Sequence, residues 1–312
     1  MSQFLRFSFK LALLLSAIAG IFAFTFLMIR PDPDGFFQAS VLKSALLENT
    51  PSPRIILIGG SNVAFGIDSE LMESRLGLPV VNMGMHGGIG ESSYREVFEQ
   101  LRSGDIVILM PEYLIFAPGE LFQGNDVVLA QWMEYDLEKL RLVSPSRVPT
   151  ILLGIAQIKT NRRLAALFLN SDLERGVYVA HNFNAHGDFI GHVDASEPIK
   201  RLQDEPYIKS SNYNRKVYEY FERFNLDAHR RGATVYFEFP ASRALNCKQT
   251  GEERFREFYD ALLDWTTIPV LTALDEICYP DSYFYDTNYH LNGVGRQVMT
   301  ERIIKDLLPY LP

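Results

Sequence analysis

The nineteen residues from Leu11 to Ile29, LALLLSAIAGIFAFTFLMI, contain no charge and no proline. A run of this kind spans a hydrocarbon core of ~30 Å when it is helical, and helical it must be, since lipid offers the backbone no partners. A buried core helix is the weaker reading, because an apolar helix at a chain end has little protein to bury itself in. A cleaved signal peptide is the main competitor. The small residues at Ala17–Gly20 imitate a cleavage site, but the apolar run continues well past them, so residues 1–30 are read as an uncleaved transmembrane anchor. Arg6 and Lys10 precede the run, while Asp32 and Asp34 follow Arg30 on the far side. That asymmetry predicts a cytoplasmic N-terminus and an exported remainder, periplasmic or extracellular, over residues 31–312.

Beyond a short PDPDG linker the pattern is that of an α/β protein. Apolar, β-rich runs at Arg54–Gly59 (RIILIG), Pro79–Gly84 (PVVNMG), Asp105–Met110 (DIVILM) and Thr234–Phe239 (TVYFEF) read as buried strands, with a short fifth near Pro269–Leu271. Between them lie helical stretches. Asp68 caps one that ends near Gly77, and others cover Glu91–Arg102, Asn212–Arg231, Glu252–Trp265 and Asn292–Leu308. Strands alternating with helices predict a parallel sheet covered on both faces. The rhythm breaks between about residues 114 and 210, where a helical portion (Ser146–Leu169) precedes a polar segment. This stretch is expected to be an insertion over the carboxyl edge of the sheet, where α/β folds bind ligands.

A formal net charge of -8 and the lack of any long Lys/Arg run exclude a nucleic-acid footprint. Cys247 and Cys278 are too few for a disulfide scaffold or a zinc site; they either form one bridge in an oxidising compartment or stay as buried thiols. His181, His186 and His192 lack the spacing of a metal motif and read as solvated loop residues, so neither metal nor cofactor is expected.

Two segments carry chemistry. GGSN at Gly59–Asn62 follows the first strand, so two glycines allow a tight turn that leaves the Ser61 hydroxyl at the carboxyl edge. Alone it is an ordinary strand-to-helix turn. Val63 occupies the last glycine position of a G-x-S-x-G elbow, and no G-K-[ST] follows as a P-loop requires. The second segment is FYDTNYHLNGVG, Phe284 to Gly295, directly before the last helix. There His290 can take a proton from Ser61, and Asp286 can orient and stabilise the imidazolium.

Together these segments resemble the SGNH (GDSL-like) serine hydrolase superfamily over about residues 54–113 and 234–308. The resemblance implies a flavodoxin-like three-layer α/β/α fold, Ser61 as nucleophile and the Asp286–His290 pair before the final helix. It also implies an oxyanion hole built from the Ser61 and Gly87 backbone N–H groups, Gly87 being preferred over Gly84 within VVNMGMHGG. Two departures stand out. Glu112, in PEYL, occupies about the place of the family's oxyanion-donating Asn, and an ionised carboxylate would repel an oxyanion. Asn62 or Tyr113 is then the compensating group, or Glu112 has another role. The Asp–His spacing is also four where the family has three, with Thr287 at the usual Asp position.

The single span and the insertion make the chain look like membrane-anchored relatives of the DltD and alginate O-acetylation type. That likeness implies a serine esterase or O-acyltransferase acting on an acylated envelope glycan or small acyl ester, in the company of a polytopic membrane O-acyltransferase. Glu112, Tyr113 and Arg243 are the weaker substrate-contact candidates, Arg243 and Glu238 flanking Pro240 at the end of the fourth strand. The alternative is an inactive SGNH-fold envelope protein that binds a glycan or a membrane acyltransferase.

Overall fold

The computed structural model describes residues 3–168, 176–194, 202–208 and 214–311. The predicted apolar runs form strands β1 (Ile55–Gly59), β2 (Val80–Asn82), β3 (Ile106–Met110) and β4 (Thr234–Phe237), all parallel, in the order β2-β1-β3-β4. The fifth expected strand reduces to one parallel bridge. The Phe237 N–H donates to the Pro269 carbonyl (2.8 Å) and the Leu271 N–H donates to the Phe237 carbonyl (2.9 Å). Pro269 has no N–H with which to extend the ladder. A short parallel pair, β5 (Ser242–Arg243) with β6 (Cys278–Tyr279), stands apart from the main sheet.

The helices in chain order begin with α1 (Gln3–Met28), α2 (Ala39–Asn49), α3 (Ser61–Gly66), α4 (Ser69–Leu76), α5 (Glu91–Glu99) and α6 (Glu120–Gln123). They continue with α7 (Asp126–Met133), α8 (Val148–Phe168), α9 (Arg215–Arg230), α10 (Ala244–Thr250), α11 (Glu252–Trp265) and α12 (Gly293–Leu307). The predicted caps are in place: Asp68 Oδ1 accepts from the Leu71 N–H, Gly77 ends α4 at φ 70°, and Asn292 Oδ1 accepts from the Gly295 N–H. One boundary differs from expectation: α5 stops at Glu99, short of Arg102, whose N–H donates to Asp105 in a turn. The expected start at Asn212 and end at Leu169 lie outside the described residues.

Side chains alternate along each strand, so the sheet has two apolar faces. Ile56, Ile58, Val107, Leu109 and Val235 pack with α5, α9 and α11. Ile55, Leu57, Ile106 and Ile108 pack with α4 and α12. A third cluster joins Phe65 of α3 to α7, α8, Phe183 and Phe189, so the segment after β3 builds a core of its own. By contrast α1 is almost wholly exposed, Thr25 being its one buried residue. Its 26 residues, about 39 Å as a helix, are long and apolar enough to cross a membrane. Cys247 and Cys278, left open by the sequence, form a disulfide between α10 and β6 with Cα atoms 6.3 Å apart.

One buried carboxylate ties these parts together. Asp188, fully buried, accepts from the Ser69 N–H (2.9 Å) and hydroxyl, Asn82 Nδ2 (2.8 Å), Asn184 Nδ2 (3.2 Å) and Arg296 Nη2 (3.0 Å). It thereby joins β2, α4, α12 and the loop that follows Asn184. Beside it the Lys43 ammonium donates to the Asn82 and Gly187 carbonyls, and burial lowers its pKa to about 7 despite the nearby Asp188 charge. Removing one partner of such a pair strands the other in a dry interior. Asp188→Ala is therefore expected to destabilise the folded protein by about 3–5 kcal/mol, read from urea unfolding. A loss under about 1 kcal/mol would mean that water already serves these donors.

Candidate active site

At the carboxyl end of β1 the chain must turn sharply, and Gly60 makes the turn possible. A Cβ at Gly60 would stand 2.1 Å from Glu112 Oε1 and 3.0 Å from the Gly87 nitrogen. Asn62 fixes the turn: its Oδ1 accepts from the Gly60 N–H (3.0 Å) and its Nδ2 donates to the Met110 carbonyl (3.0 Å). Its amide is thus committed to backbone. Ser61 then opens α3, half-buried, and its Oγ donates to Glu112 Oε1 at 3.2 Å.

The two glycines of the second block separate by packing. A Cβ on Gly84 would lie 2.5 Å from Val63 Cβ, so Gly84 is pressed against α3. Gly87 faces the Glu112 carboxylate, whose Oε2 would be 2.6 Å from a Cβ there. Ser61, Gly87 and Glu112 therefore meet in one spot.

The Asp286–His290 spacing has a local explanation. Phe284 and Leu291 form an antiparallel bridge, and the Tyr285 N–H donates to the His290 carbonyl (2.8 Å). Within this hairpin the Thr287 hydroxyl accepts from the N–H groups of Tyr289 (3.3 Å) and His290 (3.2 Å). The loop absorbs the extra residue, and Asp286 Oδ1 comes 2.7 Å from His290 Nδ1 with both side chains buried. A carboxylate only accepts, so Nδ1 carries the proton and Nε2 is left as the basic nitrogen. Phe65 holds the ring from the side, stacked on His290 at 3.8 Å between centroids and 7° between planes. Phe65 is four residues beyond Ser61 on α3, hence on the same helical face. Among the described residues the Ser61 hydroxyl makes no hydrogen bond to His290; its partner is Glu112.

Sequence reasoning missed three supports of this dyad. The Tyr178 hydroxyl donates to Asp286 Oδ2 and lies 3.3 Å from His290 Nδ1. Tyr178 is in turn held by the chain just after α1: Gly35 bridges Val179, and Asp34 accepts from the Ala180 and His181 N–H groups. His192, expected in solvent, is fully buried; its Nε2 donates to the Leu291 carbonyl (2.8 Å), and burial drives its pKa down to about 4, which keeps it neutral. Phe189, next to Asp188, stacks on Phe65 at 4.3 Å. All three sit in the irregular segment, where no periodicity marks a residue's orientation.

His86, exposed, accepts the Gly88 N–H at Nδ1 (2.9 Å), so its Nε2 carries the proton. Desolvation lowers its pKa, while the Glu112 charge acts to raise it and His290 to lower it. Tyr113 is buried among Tyr207, Phe255 and Phe258, its hydroxyl accepting from Ser242 Oγ (3.2 Å). Arg243 is buried between Asp204 (2.7 Å) and Asp281 (2.8 Å), and Glu238 pairs with Arg302 (2.7 Å), its pKa raised to about 7 by burial. His181 pairs with Asp34 (2.9 Å) and His186 stands 3.3 Å from Glu73. Among the described residues no group of three His, Cys, Asp or Glu could hold a metal ion.

Comparison with protein-family models finds no match to the chain, and no curated protein matches it either.

Burial pushes the Asp286 carboxyl up, but hydrogen bonds from His290 and Tyr178 and the His290 charge outweigh it, leaving the pKa below the usual value. A depressed carboxylate stabilises the fold above its unfolded pKa of about 4, and that contribution is lost as pH falls through the folded value. Tyr178→Phe removes one donor to the anion, so Asp286 should titrate at higher pH in a carbon-13 NMR titration. The variant should also lose about 1–3 kcal/mol at neutral pH, the loss shrinking on acidification. An unmoved Asp286 titration would show that Tyr178 contributes nothing to the carboxylate.

Proposed function

We propose that the protein is a membrane-anchored, SGNH-like serine esterase or O-acyltransferase that handles acyl groups on an envelope glycan. The observation that carries this reading is the buried Asp286–His290 dyad, with Nδ1 held at 2.7 Å and its ring stacked on the helix that begins with Ser61. The parallel sheet flanked by helices on both faces agrees with a flavodoxin-like arrangement of the SGNH type. So does the placement of Ser61 after β1, beside Gly87 from the loop after β2.

In this mechanism His290 Nε2 takes the Ser61 proton as Oγ attacks an acyl carbonyl. The tetrahedral oxyanion is held by the Ser61 and Gly87 N–H groups. His290 then gives its proton to the departing alcohol, leaving an acyl-Ser61 ester. Water or a glycan hydroxyl, deprotonated by His290, attacks that ester, and Ser61 recovers its proton. Asp286 stays ionised and stabilises the imidazolium throughout. Substrate must first displace the Ser61–Glu112 hydrogen bond.

The long apolar helix supports a membrane anchor, and the Cys247–Cys278 disulfide supports an oxidising, exported location for the body. An acetyl or similarly small acyl group on an envelope polysaccharide, exchanged with a polytopic acyltransferase, is the substrate class we favour by analogy with the anchored relatives. A second reading, a glycan- or partner-binding protein without catalysis, is favoured by one observation: the Ser61 hydroxyl donates to Glu112.

Hydrolysis of p-nitrophenyl acetate by the detergent-solubilised chain separates the two. Ser61→Ala and His290→Ala should each lower kcat/KM by at least about 1000-fold. Glu112→Gln removes a negative charge from the oxyanion's place and supplies an amide donor, so turnover should rise on the order of tenfold or more. Equal, background rates in folded wild type and Ser61→Ala would favour the binding protein.

A further inference from the structure

The last turns of α1 do not stand free of the body. Lys159 of α8 donates from Nζ to the Phe26 carbonyl at 2.8 Å and lies 5.0 Å above the Phe26 ring. Phe26 is in the final turn of α1, so this contact fixes α8 at the level where the apolar run ends. Beside it opens a cleft of about 780 Å³, with Phe24 and Met28 on its apolar side and Arg30, Arg162 and Arg163 on its cationic side. Phe24 and Met28 are well exposed, at 63% and 66%.

Four cations, Arg30, Lys159, Arg162 and Arg163, surround this region, against the carboxylates of Asp32 and Glu134. Glu134 is taken by Arg162 at 2.6 Å, and Asp32 Oδ1 accepts from the Asp34 N–H. Arg30 and Arg163 are exposed and have no ion pair among the described residues. In a chain whose formal net charge is -8, such an excess of cations is a local exception. An apolar wall continuous with a helix long enough to cross a bilayer, topped by guanidinium groups that have no ion pair among the described residues, matches a lipid in which acyl chains meet a phosphate.

We propose that this cleft binds the phosphate headgroup of an anionic phospholipid in the leaflet from which the body emerges. The inference rests on the reading of α1 as a membrane anchor and is independent of the catalytic reading. Each basic residue near an anionic surface contributes about fivefold in affinity, so two unpaired arginines give about 20-fold or more.

The full chain, reconstituted into nanodiscs of equimolar phosphatidylcholine and phosphatidylglycerol, tests this by native mass spectrometry of the lipid retained on release. Phosphatidylglycerol should be retained at about 20-fold over phosphatidylcholine. Arg30→Gln combined with Arg163→Gln should abolish most of that preference, whereas Arg230→Gln combined with Arg256→Gln, an equal loss of charge elsewhere, should leave it. An embedded chain with no preference, or a preference that survives Arg30→Gln/Arg163→Gln, overturns the inference. A chain that fails to enter nanodiscs overturns the anchor reading and this inference with it.

Discussion

The buried charge of Asp188 is the constraint on which the site depends. An ionised carboxylate in a dry interior is tolerated only when its lone pairs are filled. Here the donors come from β2, α4, α12 and the loop's own Asn184, so the loop has one place to sit. Phe189 follows immediately, stacks on Phe65, and Phe65 stacks on His290. A polar requirement is thus converted into the position of an aromatic stack, and the stack into the position of an imidazole. Burial of Lys43 beside it serves the same loop through the Gly187 carbonyl.

The second dependence runs from the chain that follows α1. The chain leaving α1 pairs with Val179 and carries Tyr178 to Asp286. The residues that orient the dyad therefore come from the chain just after α1, from the segment between β3 and β4, and from the hairpin before α12. Glu112 is the opposing element, since its carboxylate rests where Gly60 and Gly87 leave room and accepts from the Ser61 hydroxyl, which makes no hydrogen bond to His290. In the esterase reading that arrangement is a resting state, ended when a carbonyl oxygen enters between Gly87 and Ser61.

The regular parts of the molecule were legible because they follow from periodicity and caps. β-Branched runs gave the strands, while Asp68, Gly77 and Asn292 gave helix ends that the structure places where expected. The order of the strands was not legible, because apolar runs of similar composition do not encode their neighbours. The Gly59–Asn62 turn and the Asp286–His290 hairpin were legible as local segments, and the residues that support them were not. Tyr178, Phe189 and His192 lie in a stretch with no repeating pattern, and their roles depend on contacts across more than 90 residues of sequence. His192 illustrates the physical reason: a histidine between glycine and valine in a polar segment reads as solvated until a carbonyl and two aromatic rings are found around it. The Asp–His spacing also misleads in sequence, since only the Thr287-centred turn shows where the extra residue goes.

The proposed esterase or acyltransferase chemistry requires Ser61 to be a nucleophile activated by His290. Intact-mass analysis of the folded chain after exposure to a serine-directed fluorophosphonate measures this directly. One adduct per chain, mapped to Ser61 and absent from Ser61→Ala and His290→Ala, is the expected result. A folded chain that gains no adduct, or gains one that persists in His290→Ala at the wild-type rate, would contradict it.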